Sequence, residues 1–252
     1  MPTPFIIHTG IFFNAIVSNI VGLTAVALAI FLLRRWKKLS PHMKAYGWFW
    51  LMTALVWLPT SYRYFLISMG GSEMAVYVMT IIGQLGVAAT GPTLFYYLFK
   101  HLKINDVLTI SFSVLAGLLG AIALLVDLQP GGIIMQPVTF FSAEIALNIF
   151  SLSIFFFVTT VIFFLVLRDI AYQYIKYKKQ HDQSFIYEAL YSVAIAIYLV
   201  LGSIEETGTV SGWPVVIFRS LYIATFLYVY IILEKSSSAI NNYLVDSETT
   251  SS

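Results

Sequence analysis

The sequence predicts an all-α integral membrane protein, a bundle of seven transmembrane helices with its N-terminus outside and its C-terminus cytoplasmic. Three observations carry this expectation. The 252 residues are 59% hydrophobic and only 10% charged, with a mean hydropathy of +0.85, whereas a soluble domain carries roughly 25% charged residues. Seven apolar runs reach the length of about 20 residues that a helix needs to cross the hydrocarbon layer. The basic residues are also one-sided. Of the 14 lysines and arginines, all but Arg63 and Arg219 follow an odd-numbered run: Arg34, Arg35, Lys37, Lys38 and Lys44, then Lys100 and Lys103, then Arg168, Lys176, Lys178 and Lys179, then Lys235. Basic loops stay in the cytoplasm, which sets the direction of every span.

Residues 1–10 form an outer segment without a charged leader region, and the first run is too long for a signal peptide. That run is Ile11–Leu33. The second, Tyr46–Met69, carries Trp48 and Trp50 at aromatic-belt depth and is expected to bend at Pro59. A polar turn, Gly70-Gly71-Ser72-Glu73, leads to Ala75–Phe99, where Gly83, Gly86 and Gly91 permit close helix approach and Pro92 predicts a kink. In Val107–Leu128, Ser113, Gly117 and Ala121 repeat every four residues, with Ala116 and Gly120 beside them, which suits helix packing in lipid. The longest outer loop, Gln129–Pro137, is expected to pack as ordinary loop. The fifth span, Glu144–Leu167, continues as helix to Lys179 because no breaker interrupts it. Tyr187–Ile204 follows, then a turn through Glu205, Glu206, Thr207 and Gly208, and the last span, Trp213–Leu233. Residues 236–252 are Ser-, Asn- and Thr-rich and are expected to form a cytoplasmic tail, disordered beyond Leu244. No internal repeat is evident, which counts against transporters built from duplicated halves.

A charge inside the bilayer is costly, about 2.5–3.5 kcal/mol at a helix centre, so each one needs a reason. Arg63 and Arg219 each lie six residues from the outer end of their spans, roughly 9 Å deep at 1.5 Å per residue. Glu205, Glu206, Asp127 and Glu144 lie at comparable depth. The expectation is an outward-facing polar pocket whose ligand-binding residues are Arg63, Arg219, Glu205, Glu144 and Tyr222, with Asn14, Tyr62, Tyr64, Gln84 and Asn148 as further lining. A guanidinium suits a carboxylate or phosphate ligand. The same arginines could instead tie helices together, and the sequence leaves both roles open.

The remaining chemistry is read largely by elimination. There are no cysteines, hence no disulfide or thiolate site. The middle thirds of the seven spans lack Asp, Glu, Lys, Arg and His, which argues against an ion pump. His8 lies outside, and His42, His101 and His181 fall in inner loops, so the usual haem ligand is missing at mid-membrane. No HExxH and no His/carboxylate pair on one helical face suggests a metal site. Glu188 and Glu234 are expected at the interface. No cofactor is expected, no nucleic acid partner, and no enzymatic activity.

Seven spans with the N-terminus outside invite comparison with microbial rhodopsins, but the last span lacks the lysine that would hold retinal. The short loops, the topology and the stretch Gly91-Pro92-Thr93-Leu94-Phe95-Tyr96-Tyr97-Leu98-Phe99-Lys100 resemble the seven-helix N-terminal sensor module of bacterial membrane histidine kinases. That resemblance implies a sensor in a bacterial inner membrane. Without an effector domain after Lys235, output is expected through a separate protein partner, at the cytoplasmic loops or within the bilayer. The reading is a stand-alone receptor or sensor-like membrane protein. Its alternatives are a non-catalytic subunit of a larger membrane complex and a carrier for an uncharged small solute.

Overall fold

The seven apolar runs fold into seven helices in the computed structural model, which describes residues 8–207 and 210–249, with side chains described through Ser236. They are α1 (Thr9–Leu33), α2 (Pro41–Ser68), α3 (Glu73–His101), α4 (Asp106–Asp127), α5 (Ile149–Gln180), α6 (Gln183–Glu206) and α7 (Trp213–Thr249). Local chemistry starts several of them. The side chains of Ser72, Asn105, Asn148 and Asp182 accept backbone N–H bonds at the starts of α3, α4, α5 and α6, which satisfies donors that a helix leaves free. The fifth helix does continue past its apolar part, ending at His181 in a left-handed conformation. The backbone of α7 stays helical through Thr249, past the point where composition suggested a disordered tail. Residues 1–7 of the expected outer segment, the side chains after Ser236 and residues 250–252 lie outside the described residues.

Six helices are long and apolar enough to cross a membrane: all but α2. The 28 residues of α2 are equally long, but Trp48, Trp50, Trp57, Tyr46, Tyr62, Tyr64, Pro59 and Arg63 lower its hydropathy. Its inward face explains why that is tolerable. Tyr46, Phe49, Trp50, Trp57, Arg63 and Tyr64 are all buried, and they meet α6 and α7 as well as α1 and α3. Phe49 lies 5.5 Å from Tyr198, Trp50 4.7 Å from Phe226, and Trp57 4.7 Å from Tyr222. A helix enclosed by protein has less need of a lipid-compatible surface. By contrast α4 buries only Thr109, Ala116 and Asp127 and exposes Val107, Ile110, Leu118 and Leu125, a surface suited to lipid rather than water. The protein is a multi-pass membrane protein.

Each helix packs on its chain neighbour, α7 closes back on α1, and α3 also touches α5. Pro59 and Pro92 both sit inside continuous helices. Glycine sets the close approaches. A Cβ on Gly86 would lie 2.7 Å from Val56 N, and one on Gly120 would lie 2.9 Å from Ala88 O. The stripe facing α3 is therefore Ala116, Gly117 and Gly120. Ala121, expected in it from the four-residue spacing, is exposed, because 3.6 residues per turn carries a four-residue series off one face.

The loop between α4 and α5 departs from the sequence reading. It spans residues 128–148, and an antiparallel hairpin pairs β1 (Ile133–Met135) with β2 (Ile145–Leu147), Ile133 opposite Leu147. Glu144 does not begin the fifth helix; it precedes β2, and the helix starts at Ile149. An apolar run was readable as helix although short β-branched stretches beside Gly131 and Gly132 suit strands equally. Gly131 takes a positive φ of 80°, and a Cβ on Gly132 would lie 2.3 Å from Val126 O. The end of the bundle that carries this loop is called the hairpin end below, and the opposite one the basic end.

Gly86→Ala should destabilise the bundle by about 1–3 kcal/mol, because the added methyl meets backbone that cannot rotate away. Gly83→Ala, whose methyl would find its nearest neighbour at 3.6 Å, should be neutral or up to about 1 kcal/mol stabilising through helix propensity. Thermal melts of the two variants in one detergent check the contrast.

Candidate functional site

At the hairpin end, Arg219 is fully buried one turn and a half into α7. Its surroundings come from four other elements. Nη1 donates to Asn14 Oδ1 (2.5 Å) and Ser18 Oγ (2.8 Å) on α1. Nη2 donates to Tyr64 OH (2.8 Å) on α2 and to Glu205 Oε1 (3.1 Å) on α6, with Glu144 Oε1 at 3.4 Å. Nε donates to Glu205 Oε1 at 3.4 Å. The guanidinium carbon stands 4.5 Å from the centre of the Tyr64 ring. Every N–H that this guanidinium owns has an acceptor nearby, which is what a buried arginine requires.

Glu144 reaches this cluster because the hairpin folds over the bundle end. Thr139 and Ser142 bind each other across the hairpin tip. Phe141 O accepts from Asn14 Nδ2 (2.6 Å), and Ser142 Oγ accepts from the backbone N–H of Gly212 (3.0 Å). So anchored to α1 and to the segment before α7, the loop presents Glu144 inward, 8% exposed. One carboxylate oxygen accepts from Tyr64 OH and faces Arg219; the other lies 3.8 Å from Arg63 Nη2. Glu144 thus bridges the two arginines.

A cavity of about 160 Å³ opens beside this network, between α2, α3, α4, α5, α6 and α7. Arg63, Asp127, Glu144, Glu205, Glu206, Arg219, Gln84 and Tyr222 all line it, and its deeper wall is apolar or small, including Gly91, Leu94, Val158 and Ile162. All five residues expected to form the pocket border this one space. Of the further candidates, Gln84 joins them, whereas Tyr62 is 54% exposed and points away. Asn148 serves as the cap of α5 instead. Asn14 and Tyr64 hold Arg219 rather than line the cavity. Ser18, one turn after Asn14, went unrecognised, although two polar residues four apart on an apolar helix mark one face.

Four carboxyl groups border the cavity against two arginines; Glu144 and Glu205 pair with the arginines, and among the described residues Asp127 and Glu206 make no ion pair with either. Three side chains at the cavity also keep unpaired atoms: Nε1 of Trp57, Nε of Arg63 and Oδ1 of Asp127 are buried without a hydrogen-bond partner, in residues 4%, 4% and 2% exposed. Buried polar atoms are almost always satisfied, so such orphans need an explanation. Arg219 has no donor left for a ligand. Arg63 and Asp127 do have capacity.

The basic end holds a second cluster that the sequence reading misplaced. His101 is the last residue of α3 and buried, and His42 lies in the first turn of α2; neither is a loop residue. Their rings stack with centroids 5.0 Å apart. His101 Nδ1 is 3.1 Å from Asp169 Oδ2 on α5, and Nε2 is 3.1 Å from Glu188 Oε2 on α6. The Nδ1 contact is too bent for a hydrogen bond. Glu188, expected at the interface, is packed against His101. These residues are scattered over four helices, so no local pattern announced them.

Arg219→Ala should cost about 3–5 kcal/mol, since it strands Glu144 and Glu205 in the interior. Arg219→Lys keeps the charge but offers three donors in place of five, and should recover only part of the loss. Thermal stability of purified wild type and both variants reads this out. Comparison with known proteins returns no match to a family model, a curated protein or a solved structure.

Proposed function

We propose that the protein is a seven-helix receptor or sensor-like membrane protein that takes a small polar ligand into the cavity beside Arg63 and Asp127. The observation that carries this reading is the pair of orphaned, buried ionic atoms at one cavity. A purely structural arginine has its donors satisfied, as Arg219 does; Arg63 does not. The cavity volume is close to the roughly 150 Å³ that holds one benzene molecule in a protein interior. The ligand is therefore small, on the order of six to ten non-hydrogen atoms. Its chemistry follows from the two orphaned ionic atoms. Asp127 Oδ1 lacks a donor and Arg63 Nε lacks an acceptor, so the ligand offers an N–H donor, as a small amine or a zwitterion does, with one acceptor for Arg63.

The one-sided basic loops support placing the hairpin end outside and the basic end in the cytoplasm of a bacterial inner membrane. The Arg34–Lys44 loop and the cytoplasmic end of α5 would then meet a protein partner. Signalling of this kind needs two arrangements of the bundle that the ligand binds unequally. Glu144 supplies a means. A ligand that draws Arg63 toward itself alters the bridge between the arginines and with it the seat of the hairpin.

The test is a thermal-shift panel of small amines, amino acids and carboxylates on detergent-purified protein. At least one amine or zwitterion should raise the melting temperature, with affinity weakened tenfold or more by Asp127→Asn and by Arg63→Gln. If only carboxylates bind, the need for a ligand donor at Asp127 is wrong. If nothing binds and the protein purifies with a constant membrane partner, the reading as a complex subunit replaces this one.

A further inference from the structure

We propose that His42, His101 and Glu188 form a binding site for a divalent transition-metal ion of the zinc type at the basic end. One ligand atom from each lies within 4.8 Å of the others. The case rests on what surrounds them. Gln173 Nε2 donates to Asp169 Oδ1 (3.3 Å), which sets the orientation of its amide, and the same nitrogen lies 3.1 Å from His101 Nε2. An N–H there meets a lone pair only if Nε2 carries no proton. His101 then holds its proton on Nδ1, facing Asp169, which is fully buried and also accepts from Ser192 Oγ at 2.5 Å. The one lone pair of Nε2, which takes the Gln173 N–H when no metal is bound, lies 3.1 Å from a carboxylate oxygen of Glu188. A cation that displaces the Gln173 N–H can bind both.

A proton on Nε2 is the competing solution. It would point an N–H at the amide nitrogen of Gln173, donor against donor, and leave Asp169 and Glu188 with one positive charge between them. One divalent ion balances both carboxylates.

The ligand set has the features of known protein zinc sites. Two imidazoles and one carboxylate suit zinc and leave a fourth position for water. Asp169, 3.1 Å from the far nitrogen of His101 but not hydrogen-bonded to it, is placed to serve as the outer carboxylate of a metal-bound histidine once the ring turns. Gln173 Oε1, buried and without a partner, is an acceptor available to a metal-bound water. Ligands at about 2.0–2.2 Å from one ion require the three atoms to close up by about an ångström, a side-chain adjustment. Glu188 is one-third exposed and provides the way in.

The test is direct metal binding by the full chain in detergent after chelator treatment. Wild type should take up one Co²⁺ with the visible absorption of low-coordinate cobalt, release it to Zn²⁺, and melt at a higher temperature with Zn²⁺ present. His101→Ala and Glu188→Gln should weaken binding at least tenfold, whereas His8→Ala, at the hairpin end, should not. Absence of cobalt absorption, of retained zinc and of a thermal shift in wild type would overturn the proposal. So would equal binding by wild type and a folded His42→Ala, His101→Ala double variant.

Discussion

A guanidinium with no access to water has five N–H groups to satisfy and one charge to offset, and the hairpin end of this protein is arranged around meeting that demand for Arg219. The acceptors come from α1, α2, α6 and the hairpin. No pair of neighbouring helices could supply them. The consequence is a bundle whose seventh helix is bound across its interior to the first, second and sixth. The long loop after α4 is tied to the same network through Glu144, in addition to its anchors at Phe141 and Ser142. The cavity beside it exists because α3, α4 and α5 stand back from this knot, lined by small residues such as Gly83, Gly91, Ala116 and Gly120.

The two polar clusters are joined by ring contacts. His101 stands 5.4 Å from Tyr97, Tyr97 5.0 Å from Tyr46, and Tyr46 5.7 Å from Trp50. Trp50 meets Phe226 at 4.7 Å, Phe226 meets Tyr222 at 6.2 Å, and Tyr222 meets Trp57 at 4.7 Å. Trp57 lies 5.7 Å from the guanidinium carbon of Arg219. A contact chain is not itself proof of coupling, but it gives the proposed receptor a physical connection between its ligand end and its partner end.

Much of this architecture was legible in the residues. Apolar length and one-sided basic loops gave seven helices in their order, and the depth of Arg63 and Arg219 gave the group of residues that share the cavity. The sequence-level errors have specific physical causes. Glu144 was assigned to a helix because Ile145–Leu147 reads as apolar in any conformation, and only pairing with Ile133–Met135 makes it strand. The two roles left open for Arg219 could not be separated in the sequence because Asn14 and Ser18, which occupy it, stand 205 and 201 residues away in the chain. The histidine cluster draws one residue each from α2 and α3 and two each from α5 and α6, so its members meet only after the bundle has closed.

The central claim is that Arg219 and its acceptors act as one electrostatic unit and not as a set of independent weak contacts. A double-mutant cycle between Arg219→Ala and Glu144→Gln, read as unfolding free energy in one detergent, measures this directly. A unit of this kind predicts a coupling of about 2 kcal/mol or more, because the second substitution removes a carboxylate that the first has already stranded. Additivity within about 0.5 kcal/mol would show that Glu144 and Arg219 do not depend on each other, and would contradict the account of how the hairpin end is held.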